Sequence, residues 1–324
     1  DLNFYLCDDN GDIILHRYQT SATLRFESLP GNYLMRIAAN LGRDLGNNPV
    51  WADVVIVHAD EYEALPMTWE GDVTILAAGG ALPAVEVQRA VAKVSYNISV
   101  KPTDIELQSV QLLSVPRAVS VFDVAAAPSD DAADYTDTPA VPLSGHSAAG
   151  SRYLLPNMQG SVPSITDQRQ KNRDNAPDNA SYLLIRALRD DKVLTYTVYL
   201  GGNNTSDFNV RANVHYRLDI SILGDSEVDT RISSYTLHVR DDFDDYNYGG
   251  YCFLDGTRYL YIDIESNDGT APTRGRLEVL SGDLDCFTFN YGDKGAVHDF
   301  DLYDSTGENA YEMEYYTPVY TVEN

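Results

Sequence analysis

From Asp207 to Ile222 the chain reads DFNVRANVHYRLDISI, and every even-numbered position is apolar, from Phe208 through Val210, Ala212, Val214, Tyr216, Leu218 and Ile220 to Ile222. The odd-numbered positions are polar or charged. Successive side chains of a β-strand point to opposite faces, so strict alternation over this length predicts one strand with a dry face and a wet face. A helix would scatter the same residues around its circumference. On this reading Arg211, Asn213, His215 and Arg217 decorate a solvated sheet face rather than converge on a ligand.

The same parity recurs along the chain. Leu2, Phe4 and Leu6 alternate with Asn3, Tyr5 and Cys7 before Asp9-Asn10-Gly11, a hairpin signal because both central residues must accept positive φ. TLRFESLPGNYLMRIAANLG reads as two strands around Pro30-Gly31, GRDLGNNPVW as loops or one brief helix, and LPMTWEGDVTILAAGG as further strands. In AVAKVSYNISVKP, Ala92, Val94, Tyr96, Ile98 and Val100 are predicted inward, and Lys93, Ser95, Asn97 and Ser99 outward. IELQSVQLLSV, SRYLLP, SYLLIRAL and LTYTVYLGG continue the series, and SYTLHVR, TRYLYIDIE, RGRLEVLSG, CFTFNYG and YEMEYYTPVYTVEN follow Gly224.

Between Ala125 and Ala149 the chain turns to Ala, Asp, Ser, Pro and Gly. A segment so poor in apolar surface is predicted to be one long loop, set inside a β unit. No segment shows a sustained helical period. Short strands separated by turn signals predict an all-β chain built of sandwiches. The expected division is an N-terminal sandwich over residues 1–88, a second over 89–224 carrying the loop 125–150, and a C-terminal β domain over 225–324.

Composition narrows the function. A length of 324 residues suits two or three domains. A formal net charge of -26 repels a phosphate backbone, so nucleic acid is not an expected partner. No apolar run reaches the roughly 18 residues of a membrane-spanning helix. Tyrosine is abundant, 23 residues against 9 phenylalanines and 2 tryptophans, which suits half-exposed sheet faces and contact surfaces. Of the 3 cysteines, Cys7 stands alone on the first strand, while Cys252 and Cys286 lie in the same C-terminal region and either pair as a disulfide or stay free thiols. No signal peptide precedes Asp1, which fits a processed form, a trimmed piece or a cytosolic protein.

Catalytic motifs are weak. GHSAAG at 145–150 nearly matches the Gly-x-Ser-x-Gly elbow, but position 149 is alanine, and Ser147 falls in the predicted loop rather than between a strand and a helix. The 6 histidines, His16, His58, His146, His215, His238 and His298, have no zinc-ligand spacing. The acidic loop Asp241, Asp242, Asp244, Asp245 and Asn247 departs from the EF-hand order at Tyr246, and reads as a solvated loop with a cation as the alternative. The carboxylates of HDFDLYD alternate as on a strand, and no pair spaced for glycoside hydrolysis stands out. Asn97, Asn179 and Asn203 lie in glycosylation triplets that are common by chance. No enzyme activity, cofactor or metal is expected.

Six stretches taken in order carry a resemblance: LNFYLCDDNGDII, LPGNYLMRIAANLG, ALPMTWEGDVTI, VQRAVAKVSYNISV, YLLPNMQG, and VYLGG followed by DFNVRANVHYRLDISILG. Over residues 1–224 the chain resembles the fimbrillin family, the type V pilins of bacterial surface fimbriae. Arg89 to Val94 looks like the strand that begins the crossing into the second sandwich, and Arg211 to Tyr216 like part of its closing strand. The resemblance implies an all-β fold of tandem transthyretin-like or Ig-like β-sandwiches with Greek-key topology. It also implies a lipoprotein precursor, exported to the outer membrane and cell surface, whose N-terminal strand is removed so that the vacated groove accepts a strand from the next subunit. The family's stalk subunits end soon after the position of Gly224, so the residues that follow here imply a tip, accessory or anchor subunit. Val319, Tyr320 and Val322 form either a donor strand or the last strand of the third domain. Expected partners are other fimbrial subunits, with a host or bacterial surface protein or glycan as a further contact. The alternative function is a secreted carbohydrate- or protein-binding β-sandwich module.

Overall fold

The computed structural model describes residues 1–190, 192–225 and 231 with their side chains, and from 232 to 317 only the backbones of the strands named below. The fold is almost entirely β. Residues Asp1–Arg186 and Tyr196–Gly224 belong to one compact unit, and Ala187–Thr195 with the residues from Ile232 onward to a second.

The first unit opens with a five-stranded antiparallel sheet. Strands β1 (Leu2–Cys7), β2 (Ile13–Gln19) and β3 (Gly31–Ala39) are followed by β4 (Val55–Val57), β5 (Met67–Ile75) and β6 (Gln88–Arg89), and the sheet order is β2-β1-β3-β5-β6. The predicted β1–β2 hairpin forms. The Asp8 carboxylate accepts from the backbone N–H groups of Asn10 and Asp12, and Gly11 takes φ +85°. Phe4 and Leu6 join Met35 and Ile37 in a buried cluster on one face. The opposite parity is also dry: Asn3 and Tyr5 are fully buried because the loop after β3 folds across them. Asn3 donates to Arg43 O and accepts from Leu45 N, while the Tyr5 hydroxyl donates to Gly46 O and its ring stacks on His16 at 4.4 Å. The brief helix read in this loop is a 3-10 turn over Trp51–Asp53.

TLRFESLP does not form its predicted strand. Residues 23–29 join no ladder, yet Leu24 and Phe26 still pack onto the core of the first sheet, the Phe26 ring 5.1 Å from Phe4. Alternation was satisfied by packing against a sheet face rather than by lateral pairing.

Strands β7 (Ala92–Val100), β8 (Glu106–Leu113), β9 (Val115–Pro116) and β10 (Ala118–Ser120) follow, then β11 (Tyr135–Thr136), β12 (Val141–Pro142), β13 (Ser147–Leu154) and β14 (Asn157–Ser161). Next come β15 (Tyr182–Arg189), β16 (Lys192–Tyr199), β17 (Asp207–Val210) and β18 (His215–Ile222). One layer is the sheet β13-β7-β18, and strands in the order β12-β8-β15-β16 supply another. The inward residues of β7 are all buried, as are Leu107, Val110 and Leu112 on β8 and Leu183 and Ile185 on β15. This is the two-layer arrangement the parity predicted. β4 pairs with β10, and Ala38, Val54 and Ile56 share a buried cluster with Ala90, Val91, Val121 and Leu155, so the two sandwiches of this unit are sewn together.

The expectation of one long loop over 125–150 needs correction. Asp131 caps a 3-10 turn, β11 pairs with β9, β12 with β8, and β13 begins at Ser147. Buried Tyr135 anchors the segment, its hydroxyl donating to Ser129 O and accepting from Gln159 Nε2. Ladders offered by β7, β8 and β9 order a sequence that has little apolar surface of its own.

In the second unit, β19 (Ile232–Asp241), β20 (Asn247–Tyr248), β21 (Tyr251–Cys252), β22 (Gly256–Ser266), β23 (Arg274–Glu278), β24 (Thr288–Phe289), β25 (Val297–Asp301) and β26 (Ala310–Thr317) are described as backbone. Four of them run in the order β19-β22-β26-β24, and β20–β21 and β23–β25 form separate antiparallel pairs.

Gly150 lies directly opposite Tyr96 in the β13–β7 ladder, and a Cβ there would sit 2.6 Å from the Tyr96 ring. Tyr96 is buried and cannot swing into solvent. Gly150→Ala is therefore expected to destabilise the chain by about 1–3 kcal/mol through overpacking, read as a lower urea midpoint at unchanged m-value.

Candidate functional site

The segment that opened the sequence reading is not one strand. It breaks at Arg211–Val214 between β17 and β18, where Asn213 takes φ +57°, a left-handed conformation that asparagine tolerates better than most residues. Tyr216 fastens the break: its hydroxyl accepts the Arg211 N–H at 2.8 Å and donates to Asn209 O at 3.1 Å. β17 pairs with β14 and is buried on both faces, whereas β18 pairs in parallel with β7 and keeps the predicted alternation, Tyr216 and Ile222 buried, and Arg217, Asp219 and Ser221 exposed. The alternation survives a turn because the break leaves the parity of β18 intact.

The four residues go to different places. Arg211 binds the Asp207 carboxylate at 3.0 Å, and the Asn213 side chain accepts from Arg89 at 3.3 Å. His215 pairs with the Ser95 hydroxyl at 2.7 Å, and Arg217 stands opposite Ser95 in the ladder. They do not converge on one point: His215 and Arg217 stand on the exposed face of β18 as read, whereas Arg211 and Asn213, also exposed, sit on the turn before it and not on a sheet face, and Asn213 and His215 border one cleft. Rows of outward side chains continue along the sheet, with Asn97 donating to Asp219 and Ser99 facing Ser221.

Sequence reasoning missed a polar anchor beneath the turn. Lys171 is 4% exposed, and its ammonium donates to Asn203 O and Asp207 O, each at 2.7 Å, with the Phe208 ring 4.9 Å away. Burial outweighs the attraction of Asp207 and brings its pKa down to about 8. Burial acts to raise the pKa of Asp207, but hydrogen bonds from Arg211, the Gly202 N–H and Asn209 outweigh it and hold the carboxyl at about 2. A lysine within QRQKNRDNA carries no periodic signal, so only the fold reveals that it is dry.

Other sequence candidates are scattered. Ser147 begins β13, exposed and opposite Ser99, and the His146 ring meets Thr103 O at 3.2 Å. His16 lies 3.4 Å from Asp44, and His58 is largely buried 3.8 Å from Asp60, with burial pushing its pKa down. Cys7 is a buried free thiol, its pKa raised by that burial. Among the described residues, no three His, Cys, Asp or Glu side chains are grouped to hold a metal, and no helix is long and apolar enough to cross a membrane. The side chains of Cys252, Cys286, His238 and His298, the loop 242–246 and the residues Val319, Tyr320 and Val322 lie outside the described residues.

Two outcomes follow for the turn. Tyr216→Phe should cost about 1–3 kcal/mol, because it leaves the Arg211 N–H and Asn209 O without a partner; chemical denaturation reads the loss. Lys171 should give a pH signature. Between about pH 8 and 10 the unfolded chain holds the lysine proton and the folded chain has released it, so this group's contribution to stability rises with pH. The difference in unfolding free energy between the parent and Lys171→Met should therefore grow in favour of the parent over that window, and should be flat below pH 7.

Residues 152–220 match the model of a family described only as a domain of unknown function (DUF4906). No curated protein matches the chain. Among solved structures, a candidate cell adhesion protein from Bacteroides eggerthii is similar over 69% of this chain and 79% of its own, with TM-score 0.50 and 11% identity. The tip fimbrial protein Mfa3 from Porphyromonas gingivalis, solved with a C-terminal truncation, is similar over 69% of this chain and 90% of its own, with TM-score 0.45 and 14% identity. A candidate cell adhesion protein from Bacteroides uniformis matches over 72% and 88%, with TM-score 0.36 and 12% identity. At 11% identity the likeness to the candidate cell adhesion protein from Bacteroides eggerthii is one of fold.

Proposed function

We propose that the chain is a structural subunit of a bacterial surface fimbria, a tip, accessory or anchor subunit, which assembles by β-strand exchange. The observation that carries this reading is the incomplete second layer of the first sandwich. The apolar face of its sheet is covered by two segments outside any strand, 23–29 and 82–87, which place Leu24, Phe26, Val85 and Val87 on the same core cluster. Among the described residues neither segment makes a backbone hydrogen bond to another strand. Apart from Thr23, which bonds Gln19 and Ser21, Leu29 O, which accepts from Tyr33, and Pro83, which has no N–H, their N–H and C=O groups offer a template for a visiting strand, whose alternate side chains would enter the core. Leu29 and Leu76, 78% and 65% exposed, stand at the end of that sheet where Gly31 pairs with Ile75.

The strands beyond Ile232 supply the extra β structure that favours a tip, accessory or anchor role over a stalk. Cell-surface location, processing from a lipoprotein precursor and contact with other fimbrial subunits follow from the same reading.

Hydrogen exchange separates this reading from that of a self-contained binding module. In the isolated chain the amides of 23–29 and 82–87 should exchange fast, and in fimbriae sheared from cells they should slow by about a hundredfold or more. Protection already complete in the isolated chain, or absent from the assembled fibre, would overturn strand exchange at this face.

A further inference from the structure

We propose that a cleft on the outer face of the sheet β13-β7-β18 binds the carboxylate of an acidic saccharide. The cleft encloses about 300 Å³ and is lined by Leu65, Arg89, Lys93, Tyr153, Asn213 and His215 among others. The site does not depend on assembly and would exist in an isolated subunit.

Register builds it. Tyr153 on β13 faces Lys93 on β7, which faces His215 on β18, so one row across three strands holds an aromatic ring, an ammonium and an imidazole. The next row holds Ser151, Ser95 and Arg217. Arg89 reaches the cleft from β6 and is held by Asn213, and the Lys93 ammonium lies 5.7 Å from the centre of the Tyr153 ring.

In a chain with 49 acidic and 23 basic side chains, a group of Arg89, Lys93 and Arg217 that is not ion-paired is unexpected. None of the three forms an ion pair with a described residue. The acid carried by β18 on this face is Asp219, two residues beyond Arg217, and one of its oxygens accepts from Asn97 at 3.4 Å. The positive potential is felt locally, since Arg217 and Lys93 add to partial desolvation in lowering the His215 pKa. The His215 ring spends one nitrogen on Ser95, and the other has no partner among the described residues.

The chemistry of the ligand follows from these groups. Arg89 and Lys93 inside the cleft match a carboxylate, which charge-assisted hydrogen bonds would hold. The Tyr153 ring and the adjoining rows of serine and asparagine suit the apolar faces and hydroxyls of a sugar ring. A cleft open to solvent, with Leu65, Val91 and Val214 beside its polar groups, suits the mixed surface of a sugar ring better than that of a wholly apolar peptide side chain.

Titration of the full chain with D-glucuronate, D-glucose, acetate and inorganic phosphate, followed by calorimetry and by the His215 ring resonances, tests the assignment. Glucuronate should bind and move those resonances, with glucose and acetate each weaker by about tenfold or more, about the factor one charge-assisted hydrogen bond contributes. Arg89→Gln and Lys93→Gln, with their unfolding midpoints checked, should each lower the affinity by a similar factor. Acetate as strong as glucuronate would remove the saccharide, tighter phosphate would remove the carboxylate, and unmoved His215 resonances or unchanged affinity in both variants would remove the site.

Discussion

The parallel pairing of β7 with β18 is the contact on which the second sandwich depends. It joins segments more than a hundred residues apart, so the closure entropy must be met by contacts that form together. Rungs at both ends fix the alignment: Lys93 N–H donates to Val214 O at 3.0 Å, and Lys101 N–H donates to Ile222 O at 2.9 Å. The turn before β18 delivers the strand in the right phase, through the left-handed Asn213 and the Tyr216 hydroxyl that bridges it. A slip of one residue would bury His215 and Arg217 and expose Tyr216. The arrangement of charge on the outer face and the dryness of the interior are thus two results of one alignment.

The two sandwiches of the first unit solve the problem of covering an apolar sheet face differently. The second does it with sheet against sheet. In the first, one face of β1 is sealed by a loop that spends its own polar groups on Asn3 and Tyr5, and the other by segments whose backbones are not engaged in a ladder. Apolar coverage and backbone pairing are separate requirements, and the first sandwich meets the former with the latter left open. The joint between the sandwiches is more closed, with Arg36 laid over the rings of Trp51 and Phe122 and paired with Glu70.

Where parity decided the outcome, the sequence was readable. The β1–β2 hairpin and the inward set of β7 followed from period 2 and one turn signal. Parity reports which side of a segment is dry, not whether its edge is paired, which is why Leu24 and Phe26 lie on the core although the strand read there does not form. It also says nothing about a break that preserves phase, so the turn at 211–214 was invisible. The order of the segment 125–149 is not legible in its composition for the opposite reason: its ladders are donated by distant strands. Of the candidate sites, the outward placement of His215 and Arg217 on a strand was legible; the seat of Arg211 and Asn213 on a turn was not, nor was the row Tyr153–Lys93–His215, because it unites three strands whose register exists only in the fold. Lys171 lay hidden in a polar stretch with no period at all.

The direction of β18 has a mechanical meaning. Because β7 and β18 run the same way, a pull applied where the chain enters β7 and where it leaves β18 slides the strands past each other along their length. Their ladder is then loaded in shear, all its hydrogen bonds together, instead of being peeled open one at a time as at the end of a hairpin. A subunit tethered at those two points would hold under tension by geometry, without any stronger bond than an ordinary sheet contains.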